Sequence, residues 1–163
     1  MSLTAKNLIF NFLYYGLLYA FMPWILLTKE RYFYDTSYIS IPIRIFSITL
    51  GMLGILIQIW AIIKFQKIGK GTPIPSLAPK HFVQEGPYKW VRNPINIGEL
   101  LLLFSIALWF QSAFLYAYVL LGATAFHLFI VYNEEPQLRR RFGEKYEKYL
   151  TRVNRWIPKK PKA

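Results

Sequence analysis

The chain contains no cysteine, which excludes disulfide frameworks, thiolate metal sites, iron–sulfur clusters and cysteine nucleophiles together. Histidine is scarce. The two present, His81 and His127, are far apart and form no helical metal pair, so no metal site is expected. Acidic residues are also few: eight against twenty Lys and Arg, a formal net charge of +12 over 163 residues. Charged residues of both signs make up 17% of the chain, against about 25% in an average soluble domain. They are missing altogether from segments tens of residues long, while 55% of residues are hydrophobic. Segregation of this kind argues against a water-soluble globule and for a membrane protein. A chain this short does not hold both a membrane bundle and a separate Rossmann-type domain, so any active site is built from the bundle itself.

The expected fold is all-α: a single integral membrane helical bundle, residues 1–163, of about four transmembrane helices plus a C-terminal amphipathic helix. Residues 7–27 and 45–63 are uncharged runs of 21 and 19 residues, each long enough to span a bilayer. Pro23 is expected to kink the far end of the first. The 34 uncharged residues 100–133 would make about 51 Å of straight helix, against a hydrocarbon core of about 30 Å. A tight turn near Gln111 and Ser112 therefore predicts two antiparallel spans, 95–110 and 113–133. Lys64, Lys67, Lys70, Lys80, Lys89 and Arg92 lie in the loop 64–94, and ten more basic residues follow Asn133. By the positive-inside rule both segments, and with them both termini, are expected to be cytoplasmic. The basic residues read as topology and attraction to anionic lipid; no nucleic-acid motif is present. From 135 to 153, Leu138, Phe142, Tyr146, Tyr149, Leu150 and Val153 recur at helical spacing among Arg, Lys and Glu, the pattern of an amphipathic helix.

The loop holds five of the ten prolines, Pro73, Pro75, Pro79, Pro87 and Pro94, so it is stiff and shaped and suits a cavity wall at the membrane surface. Pro94 starts the third span well, with Asn93 as a capping residue. That helix N-terminus beside Arg92 is alternatively a site for a carboxylate or phosphate. Gln58, Glu99 and His127 stand out because polar groups in a membrane are expensive unless they face a partner or water. Asn96 and Glu99 share one helix face, as do His127, Val131 and Glu134. Glu134 and Glu135 are expected to end a helix, where the dipole disfavours negative charge. Arg139 is the plain candidate to compensate them, a bound cationic cofactor the sharper one. Gly69, Lys70, Gly71 and Thr72 lack the spacing of a phosphate loop, and no Ser, His and Asp constellation is present.

Gly86, Pro87 and Tyr88, then Val91, Arg92, Asn93, Pro94 and Gly98, followed by Glu134, Glu135 and the run Phe142, Gly143, Tyr146, Tyr149, Arg155, Ile157 and Pro158, resemble the isoprenylcysteine carboxyl methyltransferases and related phospholipid methyltransferases. The resemblance covers roughly residues 71–158. It implies an S-adenosylmethionine-dependent membrane enzyme with a cytoplasmic-facing donor pocket and a lipophilic or lipid-attached acceptor that enters from the membrane. Carried over by position, the cofactor pocket uses Lys80, His81, Phe82, Val83, Tyr88, Arg92, Asn93, Pro94, Ile95, Asn96 and Glu134. Asn93 stands where the family often has His, and Asn96 where it commonly has Tyr. Ile130 replaces the Arg linked to the acceptor carboxylate in the isoprenylcysteine enzymes. The resemblance thus leaves Asn93, Glu134 and, as a replacement base, His127 as the catalytic candidates. Gly98 followed by Glu99 also resembles NADPH-dependent sterol reductases, a rival enzyme reading, and a non-catalytic membrane scaffold is the third.

Overall fold

The computed structural model describes residue 9 and residues 12–33, 40–69 and 81–160. Among them the secondary structure is helical, apart from one isolated bridge between Val91 and Asn154. Residues 12–16 lead through a π-helical turn, Leu17–Phe21, into α1, Met22–Phe33. After residues 34–39, α2 runs from Ile41 to Gly69 and α3 from Pro94 to Phe110. The chain reverses at Gln111, whose φ of 48° and ψ of 39° place it in the left-handed region. It re-enters helix as α4, Ala113–Phe129, with the Ser112 hydroxyl accepting from Leu115 N at 3.1 Å as a side-chain cap. A second π turn, Ile130–Glu134, carries α4 without a break into α5, Glu135–Phe142.

The two π turns have one cause. Each lies just before a helix whose second residue is proline, Pro23 in α1 and Pro136 in α5. A proline offers no N–H to the carbonyl four residues back and its ring clashes with that carbonyl. Those carbonyls belong to Tyr19 and Tyr132, both inside the π turns. Widening the helix there keeps it continuous. Glu134 and Glu135 consequently do not end a helix, as the sequence had suggested; they sit inside one. The amphipathic pattern over 135–153 is likewise divided. Gly143, at φ 51° and ψ −129°, separates α5 from α6, Glu144–Arg152, because only glycine tolerates that backbone conformation cheaply.

Helices α2 and α3 pack closest. A Cβ on Gly54 would lie 2.8 Å from the Gly98 carbonyl oxygen, and one on Gly98 would lie 2.7 Å from the Gly54 carbonyl oxygen. Small residues let backbones approach in this way where hydrophobic transfer gives no drive between helices. Gly51 repeats the contact against Ser105 one turn away. At the far end of α3, Glu30 of α1 is buried and receives the Ser112 hydroxyl and the Ala113 amide, the latter at 2.8 Å. A carboxylate at the start of α4 also complements the helix dipole. Leu, Ile, Phe and Trp side chains cover the outside of the bundle, the surface a bilayer would contact. Two helices, Ile41–Gly69 and Ala113 through Phe142, are long and apolar enough to cross a membrane; Pro94–Phe110 is apolar but shorter.

Gly54→Leu is expected to lower the thermal unfolding midpoint in detergent, since overpacking of this kind costs about 1–3 kcal/mol. Gly122→Ala, where nothing lies within 4 Å of the added Cβ, should leave the midpoint unchanged. Equal midpoints for both variants would show that the Gly54–Gly98 approach does not hold the bundle.

Candidate active site

At the end of the bundle opposite Glu30, the chain from His81 to Asn93 is folded into the angle between α2 and the C-terminal helices. His81 N donates to the carbonyl of Gly69 at 3.3 Å, tying this segment to the end of α2. The next residues are extended, so successive side chains point to opposite faces. Val83 packs with Ala61 and Tyr88, flanked by Phe65, Ile68 and Ile95. Phe82 faces the other way, into Tyr146, Tyr149 and Phe142, with ring centroids 5.6, 5.1 and 5.3 Å distant. Gly86, at φ 61°, then turns the chain into a single 3₁₀ turn, Gly86–Lys89, that buries Pro87 and Tyr88. The Tyr149 hydroxyl donates to the Tyr88 carbonyl at 2.7 Å and fastens that turn to α6.

Glu135 is the electrostatic centre. Its Oε1 accepts from Arg92 Nη1 and Arg155 Nε, both at 2.8 Å, and its Oε2 from Arg155 Nη2 at 2.9 Å. The Arg155 contact is the bidentate fork that suits guanidinium to carboxylate. Arg139, the cation nearest in sequence, pairs instead with Glu147 at 2.7 Å on the exposed surface. The Glu135 hydrogen bonds hold the Arg155 guanidinium above its already high ordinary pKa. Backbone bonds run beside this clasp: Arg92 N to Asn154 O at 2.9 Å, and Lys159 N to Trp90 O at 2.8 Å. Asn93 does not cap α3 with its side chain; Nδ2 donates to the Arg155 carbonyl at 3.2 Å. The amides of the first turn of α3, at Ile95 and Asn96, are therefore left without a side-chain acceptor.

Glu134 differs from its neighbour. It is half-buried, and no Lys or Arg of the described residues forms an ion pair with it. It is close enough to Tyr88 to act on it: burial first, and then the Glu134 charge, raise the Tyr88 pKa, so this phenol stays protonated. The Tyr88 hydroxyl and Arg92 Nε are both buried with no hydrogen-bond partner among the described residues. Burial likewise pushes Tyr146 up to about 12. The π turn thus sets a half-buried carboxylate beside the neutral phenol of the 3₁₀ turn, and the start of α3 joins them through Ile95, which packs with Ala61, Val83 and Tyr88.

Of the residues predicted for the site, Tyr88, Arg92, Asn93, Pro94, Ile95, Asn96 and Glu134 belong to these three elements. Phe82 and Val83 are packed as core, and His81 is exposed apart from its backbone bond. Lys80 lies outside the described residues. His127 Nδ1 accepts from Trp156 Nε1 at 3.0 Å, which assigns the imidazole proton to Nε2. The π turn between them also means that His127 and Glu134 are not superposed as seven residues of straight α-helix would place them. Gln58 Nε2 lies 3.4 Å from both Glu99 Oε1 and the Tyr15 hydroxyl. Glu99 thus faces α2 and the first helix. Sequence reasoning did not find the roles of Arg155 and Trp156, which lie 62 and 29 residues from Asn93 and His127. Only the resemblance at Arg155, Ile157 and Pro158 pointed to that segment.

A family model described as phospholipid methyltransferase matches residues 43–145, more than half of the chain. The chain belongs to the phospholipid methyltransferase family. No curated protein and no solved structure matches it significantly. The matched segment runs from the first turn of α2 through α3, α4, Glu134 and Glu135, and stops before the segment that contributes Arg155.

Replacing Glu135 by Ala leaves two half-buried guanidiniums facing each other, and breaking a buried pair from one side costs about 3–5 kcal/mol. Glu147→Ala removes an exposed pair worth about 0–1 kcal/mol. Chemical unfolding of the two variants should rank them in that order; the reverse order would displace Glu135 from the centre of the site.

Proposed function

We propose that this family member transfers a methyl group from S-adenosylmethionine to a lipid-soluble or lipid-attached acceptor at the cytoplasmic membrane face. The observation that supports this most is the half-buried Glu134 beside Tyr88: among the described residues Glu134 has no ion pair and the buried Tyr88 hydroxyl no hydrogen-bond partner. The residues present fit the cofactor's three chemical parts. Glu134 suits its positive charge, Tyr88 offers a phenol and an aromatic face, and the first-turn amides of α3 suit a carboxylate. When bound, the cofactor supplies an electrophilic methyl attached to a sulfonium. The chain's task is then to bind, align and exclude water, with no covalent intermediate on the protein.

Within that reading, Glu134 balances the donor's charge in a setting of low dielectric. Asn93 is held by the Arg155 carbonyl, so it orients its surroundings rather than accepting a proton. His127, with its proton on Nε2, presents a donor toward an acceptor from the lipid side. Four spans, over residues 7–27, 45–63, 95–110 and 113–133, place both termini in the cytoplasm and the site among basic residues at that face. Multi-pass insertion makes membrane lipids the chain's immediate partners. Ile130, at the position where isoprenylcysteine enzymes carry an acceptor-linked Arg, argues for an acceptor without a carboxylate. The sterol-reductase reading draws on Gly98 and Glu99. Both are accounted for here by packing against Gly54 and by the contact with Gln58.

Labelled S-adenosylmethionine is expected to bind saturably to the purified protein in detergent. Glu134→Ala and Asn93→Ala should each weaken binding about tenfold or more, as loss of a hydrogen bond to a charged group does. Absence of saturable binding to the wild-type protein would end the methyltransferase reading. With binding in hand, transfer of label into a lipid extract identifies the acceptor.

A further inference from the structure

We propose that Arg155 is a positioning residue for the donor site and that residues 154–159 are the strap that holds it in place; this rests on the functional reading above. The strap lies beyond the family-matched segment. Arg155 touches both walls of the site. Its carbonyl accepts from Asn93, immediately before α3, and its guanidinium grips both oxygens of Glu135, immediately after the π turn. The neighbouring residues brace it. Asn154 and Lys159 bond to the backbone of Arg92 and Trp90, and Trp156 bonds to His127.

Among the described residues Glu134 has no ion pair of its own to fix it, so its direction is inherited from the backbone that Glu135 anchors. That backbone is a π turn, a less favourable winding than α-helix that persists where its surroundings impose it. Pro136 keeps the turn wound this way, but with Glu135 released the turn loses its tie to the strap and Glu134 can shift relative to Tyr88. Arg92 still reaches Glu135 through one bond, but it belongs to the loop wall and cannot tie the strap to that wall. Lysine at position 155 retains the charge and loses the fork.

The test uses the full chain in lipid nanodiscs. With no native cysteine, spin labels on the exposed positions Lys89 and Gln137, introduced as K89C and Q137C, report the separation of loop and α5 without any ligand. The expected result is a narrow distance distribution in the parent, a broadened or shifted one in Arg155→Ala, and an intermediate one in Arg155→Lys. In parallel, Arg155→Ala should weaken S-adenosylmethionine binding by about tenfold or more, since small misplacements at a site are costly. Ser112→Ala, which removes the cap of α4 at the opposite end of the bundle, should lower thermal stability while leaving donor affinity unchanged. An unchanged distance distribution in both Arg155 variants overturns the proposal whatever the donor does. Donor affinity that falls in step with thermal stability across Arg155→Ala and Ser112→Ala overturns it as well. Failure of the parent itself to bind donor, with the distance change intact, refutes the methyltransferase reading and leaves the strap standing.

Discussion

One carboxylate, Glu135, gathers two guanidiniums from segments that lie 43 residues before it and 20 residues after it. Such a group is poor evidence of net stability, because desolvating three charges offsets most of their attraction. Its value is directional. Hydrogen bonds to a bidentate carboxylate are short and oriented, and they admit few alternative arrangements of the loop, the π turn and the C-terminal segment. Because Glu135 absorbs both nearby guanidiniums, Glu134 is left with its charge unspent. Two consecutive glutamates thus differ: Glu135 holds the architecture, and Glu134 has no ion pair among the described residues.

The same logic appears at the other end of the bundle in simpler form. Glu30 receives a hydroxyl and an amide at the start of α4 and joins the first helix to the hairpin of α3 and α4. Between the two ends, contact relies on shape. Gly54 against Gly98, and Gly51 against Ser105, set the spacing of α2 and α3, and that spacing places Ala61 and Ile95 where they meet Val83 and Tyr88. Polar groups define the ends and small residues define the distance. Large apolar side chains are left for the outside, as expected where the surroundings are hydrocarbon and burying them inside brings little advantage.

Much of this was legible in the chain. A charge-free run of 34 residues is too long for one crossing, and that arithmetic asks for the turn made by Gln111 and Ser112. Gly86 before Pro87 marks a turn in the sequence, and the scattered match at Gly86 to Pro94, Glu134 to Tyr149 and Arg155 to Pro158 pointed to the family, whereas the break at Gly143 was not legible, since 135–153 reads as one amphipathic helix. What escaped were consequences of tertiary structure. Pro136 reads as a helix stop in one dimension, yet a π turn absorbs it. Arg139 is the obvious partner for Glu135 by sequence distance, yet Arg92 and Arg155 arrive from afar. Asn93 has every local qualification as a cap, but its amide is taken by a carbonyl 62 residues away. Local rules set the helices; long-range hydrogen bonds decided what the polar residues do.

The continuity of α4, the π turn and α5 has a mechanical side. One unbroken rod of 30 residues, Ala113 to Phe142, is long and apolar enough to cross a membrane and also bears Glu134, while the start of α3 belongs to a separate, shorter helix. Bilayers of unequal thickness impose unequal tilts on helices of unequal length. A thinner or thicker host membrane would therefore lever the carboxylate toward or away from the tyrosine opposite, making lipid chain length a physical input to the geometry of the pocket.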